Sequence, residues 1–218
     1  MERVTASGPS WAVIKNYLGQ LRFYSYADLV LLLISLNCAP RQILAASLLW
    51  FGFLIHLEWR HRDVGRYRWP PLAWITSWIV AVITDPSMWS IVFIALAVSY
   101  SLKKRFPAIA RVSFLYNGAL KTALLLAVST PNPRQLLIVF IAMSMRNLAG
   151  DFRDIVKDSS EGVLTLPVAV GLRKDIDWLY PTVLAATSLM WTRLGNLPVT
   201  YLIAAWAVQA LTYRMTPR

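Results

Sequence analysis

Charge is scarce in this chain. Only 15% of its 218 residues are charged, against 57% hydrophobic, and the mean hydropathy is +0.50. Soluble domains carry roughly 25% charged residues, so this composition argues against one. Acids are scarcer than bases, with 11 Asp and Glu against 22 Lys and Arg and a net charge of +11. There is one cysteine, Cys38, which excludes an internal disulfide. No low-complexity stretch occurs, and no soluble module is long enough to stand apart, so the chain reads as one domain. No cleavable signal peptide is evident: the first apolar run follows a mostly polar stretch with no convincing small-residue cleavage site. In a soluble protein the basic excess would point to nucleic acid. Here the basic residues cluster between apolar segments, which fits membrane orientation and anionic partners and speaks against nucleic acid.

What is abundant points the same way. The 10 Trp and 9 Tyr are residue types that anchor at membrane interfaces. Residues 1–23 read as a cytoplasmic or interfacial segment whose apolar and polar residues mix along the membrane surface. Eight apolar segments follow, at 24–38, 41–58, 70–84, 87–102, 112–130, 135–150, 177–192 and 197–213. Most fall short of the ~20 residues that span a bilayer comfortably. Interfacial residues such as Trp59, Trp69, Trp89, Trp178 and Trp191 are expected to complete their ends. Basic residues alternate across the connections. Loops after the second, fourth and sixth segments hold Arg60, Arg62, Arg66 and Arg68, then Lys103, Lys104, Arg105 and Arg111, then Arg146, Arg153, Lys157, Arg173 and Lys174. The intervening connections hold few. The positive-inside rule then places both termini and these loops in the cytoplasm. The expectation is an all-α polytopic transmembrane bundle of about eight helices, with residues 24–218 as its membrane domain. Nothing in the sequence indicates its oligomeric state.

Against this apolar background Asp151, Asp154 and Asp158 stand at i, i+3 and i+7, which stacks them along one face of a continuous helix. Clustered carboxylates need cations, either basic side chains such as Arg153 and Lys157 or a metal. Hard divalent cations choose such oxygens, and Mg²⁺ often links one or two carboxylates to substrate phosphates. A second, weaker acidic stretch follows the second segment: Glu58, Trp59, Arg60, His61, Arg62, Asp63, Val64, Gly65, Arg66. Glu58 and His61 share a helical face; Glu58 can also pair with Arg62 at i+4. Lys121 falls inside the fifth segment, after Asn117. It either meets a carboxylate or phosphate in a central cavity or snorkels to an interface. Asp28 is expected beside Arg22, and His56 as a packed helix residue.

The run Asn147-Leu-Ala-Gly-Asp151-Phe-Arg-Asp154-Ile-Val-Lys-Asp158-Ser-Ser-Glu-Gly162-Val-Leu-Thr165-Leu-Pro167-Val-Ala-Val-Gly171 resembles the second aspartate-rich motif of the UbiA superfamily of intramembrane prenyltransferases. There, D-x-x-D-x-x-x-D leads into G-x-x-T-L-P-V-x-x-G. In the family's first motif, N-D-x-x-D-x-x-x-D, this chain aligns Leu57 and Glu58, then His61, then Gly65, so carboxylates are missing. Tyr100 and Lys103 resemble the family's Y-[ST]-x-P-L-K segment, without its proline; Lys104 is an equal candidate for the cation.

The resemblance implies a central cavity and transfer of an isoprenyl group from a prenyl diphosphate to a lipophilic acceptor, an aromatic carbon or a hydroxyl. It implies Mg²⁺ held by Asp151, Asp154 and Asp158, with Glu58 opposite. Diphosphate contacts would come from Tyr100, Lys103, Lys104, Arg62, Arg66, Arg153 and Lys121. Glu58, His61, Asp63, Asn117 and Asn147 are the other substrate-contact candidates. A terpene cyclase of the same fold and a non-catalytic binding or scaffold protein are the alternatives.

Overall fold

The computed structural model describes residues 17–60 and 69–215. These residues are helical throughout, with no strand among them. All eight apolar segments fold as helices: α1 (Phe23–Ser35), α2 (Pro40–Arg60), α3 (Pro71–Thr84), α4 (Met88–Tyr100), α6 (Ser113–Val128), α7 (Pro133–Arg153), α10 (Leu179–Leu194) and α11 (Val199–Tyr213). Three short helices, α5 (Pro107–Arg111), α8 (Ile155–Ser160) and α9 (Leu166–Ala169), lie in the connections and are not marked by apolar periodicity.

Local chemistry sets many of the boundaries. Pro133 opens α7 at a position where its missing N–H costs nothing, and Asn132 and Gln135 form a reciprocal capping box around it. The Ser87 side chain accepts from the Trp89 N–H at the start of α4. Pro71 and Pro107 open α3 and α5 in the same way as Pro133.

Five helices close a ring: α1 packs on α2, α2 on α6, α6 on α7, α7 on α10, and α10 back on α1. Outside the ring, α4 lies against α2 and α6, α3 against α2, and α11 against α1 and α10. Leu29, Leu32, Leu49, Phe53, Phe93, Leu120 and Leu124 pack in the interior. The α6 and α7 helices approach one another closely. A β-carbon on Gly118 would lie 2.6 Å from the Phe140 carbonyl oxygen, so only glycine permits that approach.

One helix among the described residues, α2, is long and apolar enough to cross a membrane by length and composition; α3, α4, α6 and α11 are shorter apolar helices. The outer helices turn bulky apolar side chains outward, with Leu72 70%, Ile83 72% and Leu211 77% exposed.

Two sequence expectations change in the core. Asp28 does not sit beside Arg22. It is fully buried, ion-pairs with Arg146 of α7, and accepts from Thr187 Oγ1 (3.2 Å) and Trp191 Nε1 (2.9 Å) of α10. Trp191 is therefore an interior residue, not an interfacial one, because its indole N–H finds a buried carboxylate. His56 packs as expected, buried between Trp74 and Trp78.

Candidate functional site

The ring encloses a cavity of about 160 Å³ at the end where the basic connections gather. Its wall on α2 runs from Glu58 through Leu57, Leu54 and Phe53 to Trp50, two helical turns deeper. On the other side α7 supplies Arg146, Asn147, Gly150, Asp151 and Arg153. The α4–α5 connection adds Lys103 and Lys104, and α8 with its flanks adds Asp154, Lys157, Asp158 and Glu161. Residues 100 positions apart in sequence thus line one space. The two acidic stretches face it together, Glu58 from one and Asp151, Asp154 and Asp158 from the other. His61, Arg62, Asp63 and Arg66 lie outside the described residues.

The three aspartates do not share one helical face. The α7 helix ends at Arg153, and Asp154 takes a non-helical conformation (φ −109°, ψ 21°) before α8 begins at Ile155. A remote side chain stabilises the break: Asp175 Oδ1 accepts from the Val156 N–H at 2.8 Å, satisfying an otherwise orphan donor of the short helix. At the other end of α8, Gly162 takes a positive φ of 70°, and Val163 N–H returns to the Asp158 carbonyl at 2.8 Å.

The break gives the carboxylates different partners. Asp154 is held by Arg153 through two hydrogen bonds, Nε–Oδ1 at 2.8 Å and Nη2–Oδ2 at 2.5 Å. Burial alone would raise the Asp154 carboxyl, but the Arg153 guanidinium overrides it and holds the group below its ordinary range. Arg153 also stacks on Tyr180, 4.6 Å from its ring, and donates to Tyr213 Oη at 3.3 Å. Arg153, expected on diphosphate, is therefore tied into the wall.

Asp151 lies just beyond the apolar run that ends at Gly150. It is 5% exposed and accepts from Ser113 Oγ at 3.1 Å. Burial pushes its carboxyl up to about 6, Lys103 opposes the shift, and Asp158 adds to it. Asp158 is also raised, first by burial, with Lys103 again opposing and Asp154 reinforcing. Lys103 answers both. Burial works against its charge, but Tyr100, Asp151 and Asp158 together hold its ammonium above the ordinary range. Its Nζ sits 5.3 Å from the centre of the Tyr100 ring.

The other candidates are placed as follows. Glu58 pairs with Arg22 Nη2 at 3.0 Å, and Lys104 pairs with Glu161 at 2.7 Å. Tyr100 Oη (3.4 Å) and Asn117 Nδ2 (3.1 Å) both donate to Asn147 Oδ1. Lys121 does not snorkel. It is fully buried, its Nζ 3.4 Å from the centre of the Trp50 ring, and it is not among the residues that line the cavity. Arg22, Tyr24, Arg146, Tyr180 and Tyr213 also line the cavity and were not expected at the site from sequence. Only Arg146 carried a signal, an arginine inside an apolar run.

Among the described residues no three His, Cys, Asp or Glu side chains converge into a ready metal cluster. For Mg²⁺ the donor set fits through Asp151 and Asp158, two hard-oxygen groups whose burial and mutual repulsion a divalent cation would relieve. Asp154 and Glu58 do not join them in this arrangement, because each is spent on an arginine.

Comparison with protein-family models, with curated proteins and with solved structures finds no match for this chain.

Proposed function

We propose that this chain is a multi-pass membrane prenyltransferase that moves an isoprenyl group from a prenyl diphosphate to a lipophilic acceptor. The observation that carries the reading is the single cavity into which both acidic stretches and the Lys103–Lys104 connection converge. Ligand pockets usually measure ~300–1,000 Å³. A cavity of about 160 Å³ suits a polar head group better than a whole amphiphile. The apolar tail would lie along the hydrophobic wall of α2 and the bundle exterior. The exposed apolar faces of α3, α4 and α11 support a surrounding bilayer, as does the gathering of basic residues at the cavity end. That end is the cytoplasmic one in this reading.

Lys103, held beside Tyr100, Asp151 and Asp158, is the cation best placed to meet diphosphate oxygens. Lys104 can join it by exchanging Glu161 for the ligand, and Tyr100 orients both Lys103 and Asn147. Asp151 and Asp158 would hold Mg²⁺, which when bound neutralises diphosphate charge and makes it a better leaving group. Trp50, Phe53, Leu54 and Leu57 exclude water from the carbon that loses the diphosphate, and the faces of Trp50 and Phe53 suit a developing allylic cation.

The test is diphosphate release from radiolabelled prenyl diphosphates by purified protein with Mg²⁺. Release that stops in Asp151→Ala supports the reading. A folded protein that releases none with any chain length removes it. A second reading, a non-catalytic binder of prenyl lipids, is favoured by the Arg22–Glu58 pair, which spends the one described carboxylate of the first stretch. It predicts saturable binding of prenyl diphosphate without turnover.

A further inference from the structure

Three arginines line the cavity, Arg22, Arg146 and Arg153, and the fold holds them differently. Arg146 is sealed in the core against Asp28, its side chain 5% exposed. Arg153 gives Asp154 two hydrogen bonds, stacks on Tyr180 and is 14% exposed. Arg22 gives Glu58 one, from Nη2 to Oε1 at 3.0 Å, and its side chain is 31% exposed. A guanidinium carries five N–H donors in a fixed fork, so a single bond to a carboxylate leaves most of the fork unused. Of the three, Arg22 is the one that an incoming anion can reach and recruit.

Arg22 is also a strained joint. It takes the left-handed conformation (φ 50°, ψ 56°), which costs free energy for a residue with a β-carbon. Behind it a turn closes from its N–H to the Gly19 carbonyl at 3.2 Å, and ahead α1 starts with the Ser25 N–H on its own carbonyl at 2.7 Å. The joint carries its side chain to Glu58 of α2, 36 positions along the chain. Strained residues of this kind cluster at ligand clamps and switches. Lys103 and Lys104, from a different element, line the same cavity, so an anion with two charged groups finds cations from two separate elements.

We propose that the Arg22–Glu58 pair is a self-occupied anion site: Glu58 fills the Arg22 guanidinium in the empty protein, and a diphosphate displaces it. Phosphoryl oxygens answer the fork with two parallel bonds where Glu58 uses one. A half-reachable ion pair is worth little, so a diphosphate overcomes it, while a monophosphate, with less charge and fewer oxygens, competes poorly. The exchange turns Glu58 back to the cavity, and the contact that favours binding without turnover becomes a property of the empty state. The identity of the diphosphate as the donor's head group rests on the prenyltransferase reading; the exchange itself needs only that the cavity take a diphosphate.

The experiment uses the purified full chain at neutral pH with chelator, and inorganic diphosphate and inorganic phosphate as probes. Glu58 is labelled with a carbodiimide and glycine ethyl ester, Arg22 with phenylglyoxal, and both rates are read by mass spectrometry. Diphosphate should speed labelling of Glu58 by at least roughly threefold and slow that of Arg22 by a similar factor. Simple occlusion of the cavity slows both, and a purely structural pair changes neither; either result overturns the proposal. An equal response to inorganic phosphate overturns the assignment to a diphosphate, as does an absence of diphosphate binding. In calorimetry Glu58→Gln should bind inorganic diphosphate roughly threefold more tightly than the wild type, and Arg22→Gln at least roughly tenfold more weakly. Weaker binding by folded Glu58→Gln overturns the exchange, and the wild-type labelling decides it where a variant does not fold. Release from prenyl diphosphate is measured in parallel. Its absence alongside reciprocal labelling removes the prenyltransferase reading and leaves the exchange standing.

Discussion

At the scale of single residues, the site keeps charge where the fold would prefer none. The Asp151 carboxyl is raised from 3.8 to about 6, chiefly by burial. A carboxyl whose folded value lies above its unfolded one favours folding in its protonated form. That contribution is present below the unfolded value and is lost as pH rises through about 6. At neutral pH the ionised group therefore opposes folding, by up to about 3 kcal/mol at about 1.4 kcal/mol per unit. Asp151→Asn keeps an acceptor for Ser113 and removes the charge. It should stabilise the metal-free protein by about 1–3 kcal/mol at neutral pH, with the advantage vanishing towards pH ~4, while abolishing diphosphate release. Chelator-treated thermal unfolding across this pH range checks it; a variant less stable than wild type at neutral pH would contradict the assignment. Lys103→Gln removes the cation that answers both raised carboxylates. It should weaken prenyl diphosphate binding by at least roughly tenfold, read as a rise in KM.

Between elements, a buried ion pair and a tight seam position the wall. Arg146 joins α7 to α1 through Asp28, and Asp28 reaches α10 through Thr187 and Trp191. Arg146→Met strands a buried carboxylate and should cost about 3–5 kcal/mol in chemical unfolding. Adding Asp28→Asn should restore most of it, since the uncompensated charge is then gone. Gly118→Val pushes α6 off α7 at Phe140 and Ser144. A loss of about 1–3 kcal/mol is expected from the forced separation, together with the Asn117–Asn147 contact beside it. The α7–α8 break shows what a sequence pattern misses at this scale. Spacing alone stacks Asp151, Asp154 and Asp158. Arg153 and the remote Asp175 redirect the chain after one turn, and neither effect has a periodicity to announce it.

For the whole molecule, the distribution of basic side chains and the exposed apolar flanks make one topological prediction. In a Cys38→Ser background, cysteines replacing the exposed Arg134 and Arg173 should lie on opposite sides of the membrane. A membrane-impermeant maleimide should label Arg134→Cys in intact cells and Arg173→Cys only after lysis. Equal labelling of both in intact cells would remove the proposed multi-pass orientation.

The eight long helices were legible in the sequence because each run is apolar, and its ends carry prolines, caps or charge. The carboxylates of the site were legible too, since charge inside so apolar a chain stands out without any contact information. Their partners were not. Glu58 with Arg22, Asp28 with Arg146, and Asn117 with Asn147 join residues 30 or more positions apart, and hydrogen bonding has no reach along the sequence. The same holds for Lys121, whose burial on Trp50 depends on how α2 and α6 meet. Composition and periodicity determined the helices and flagged the charge. Only the closing of the ring decided which charges answer one another.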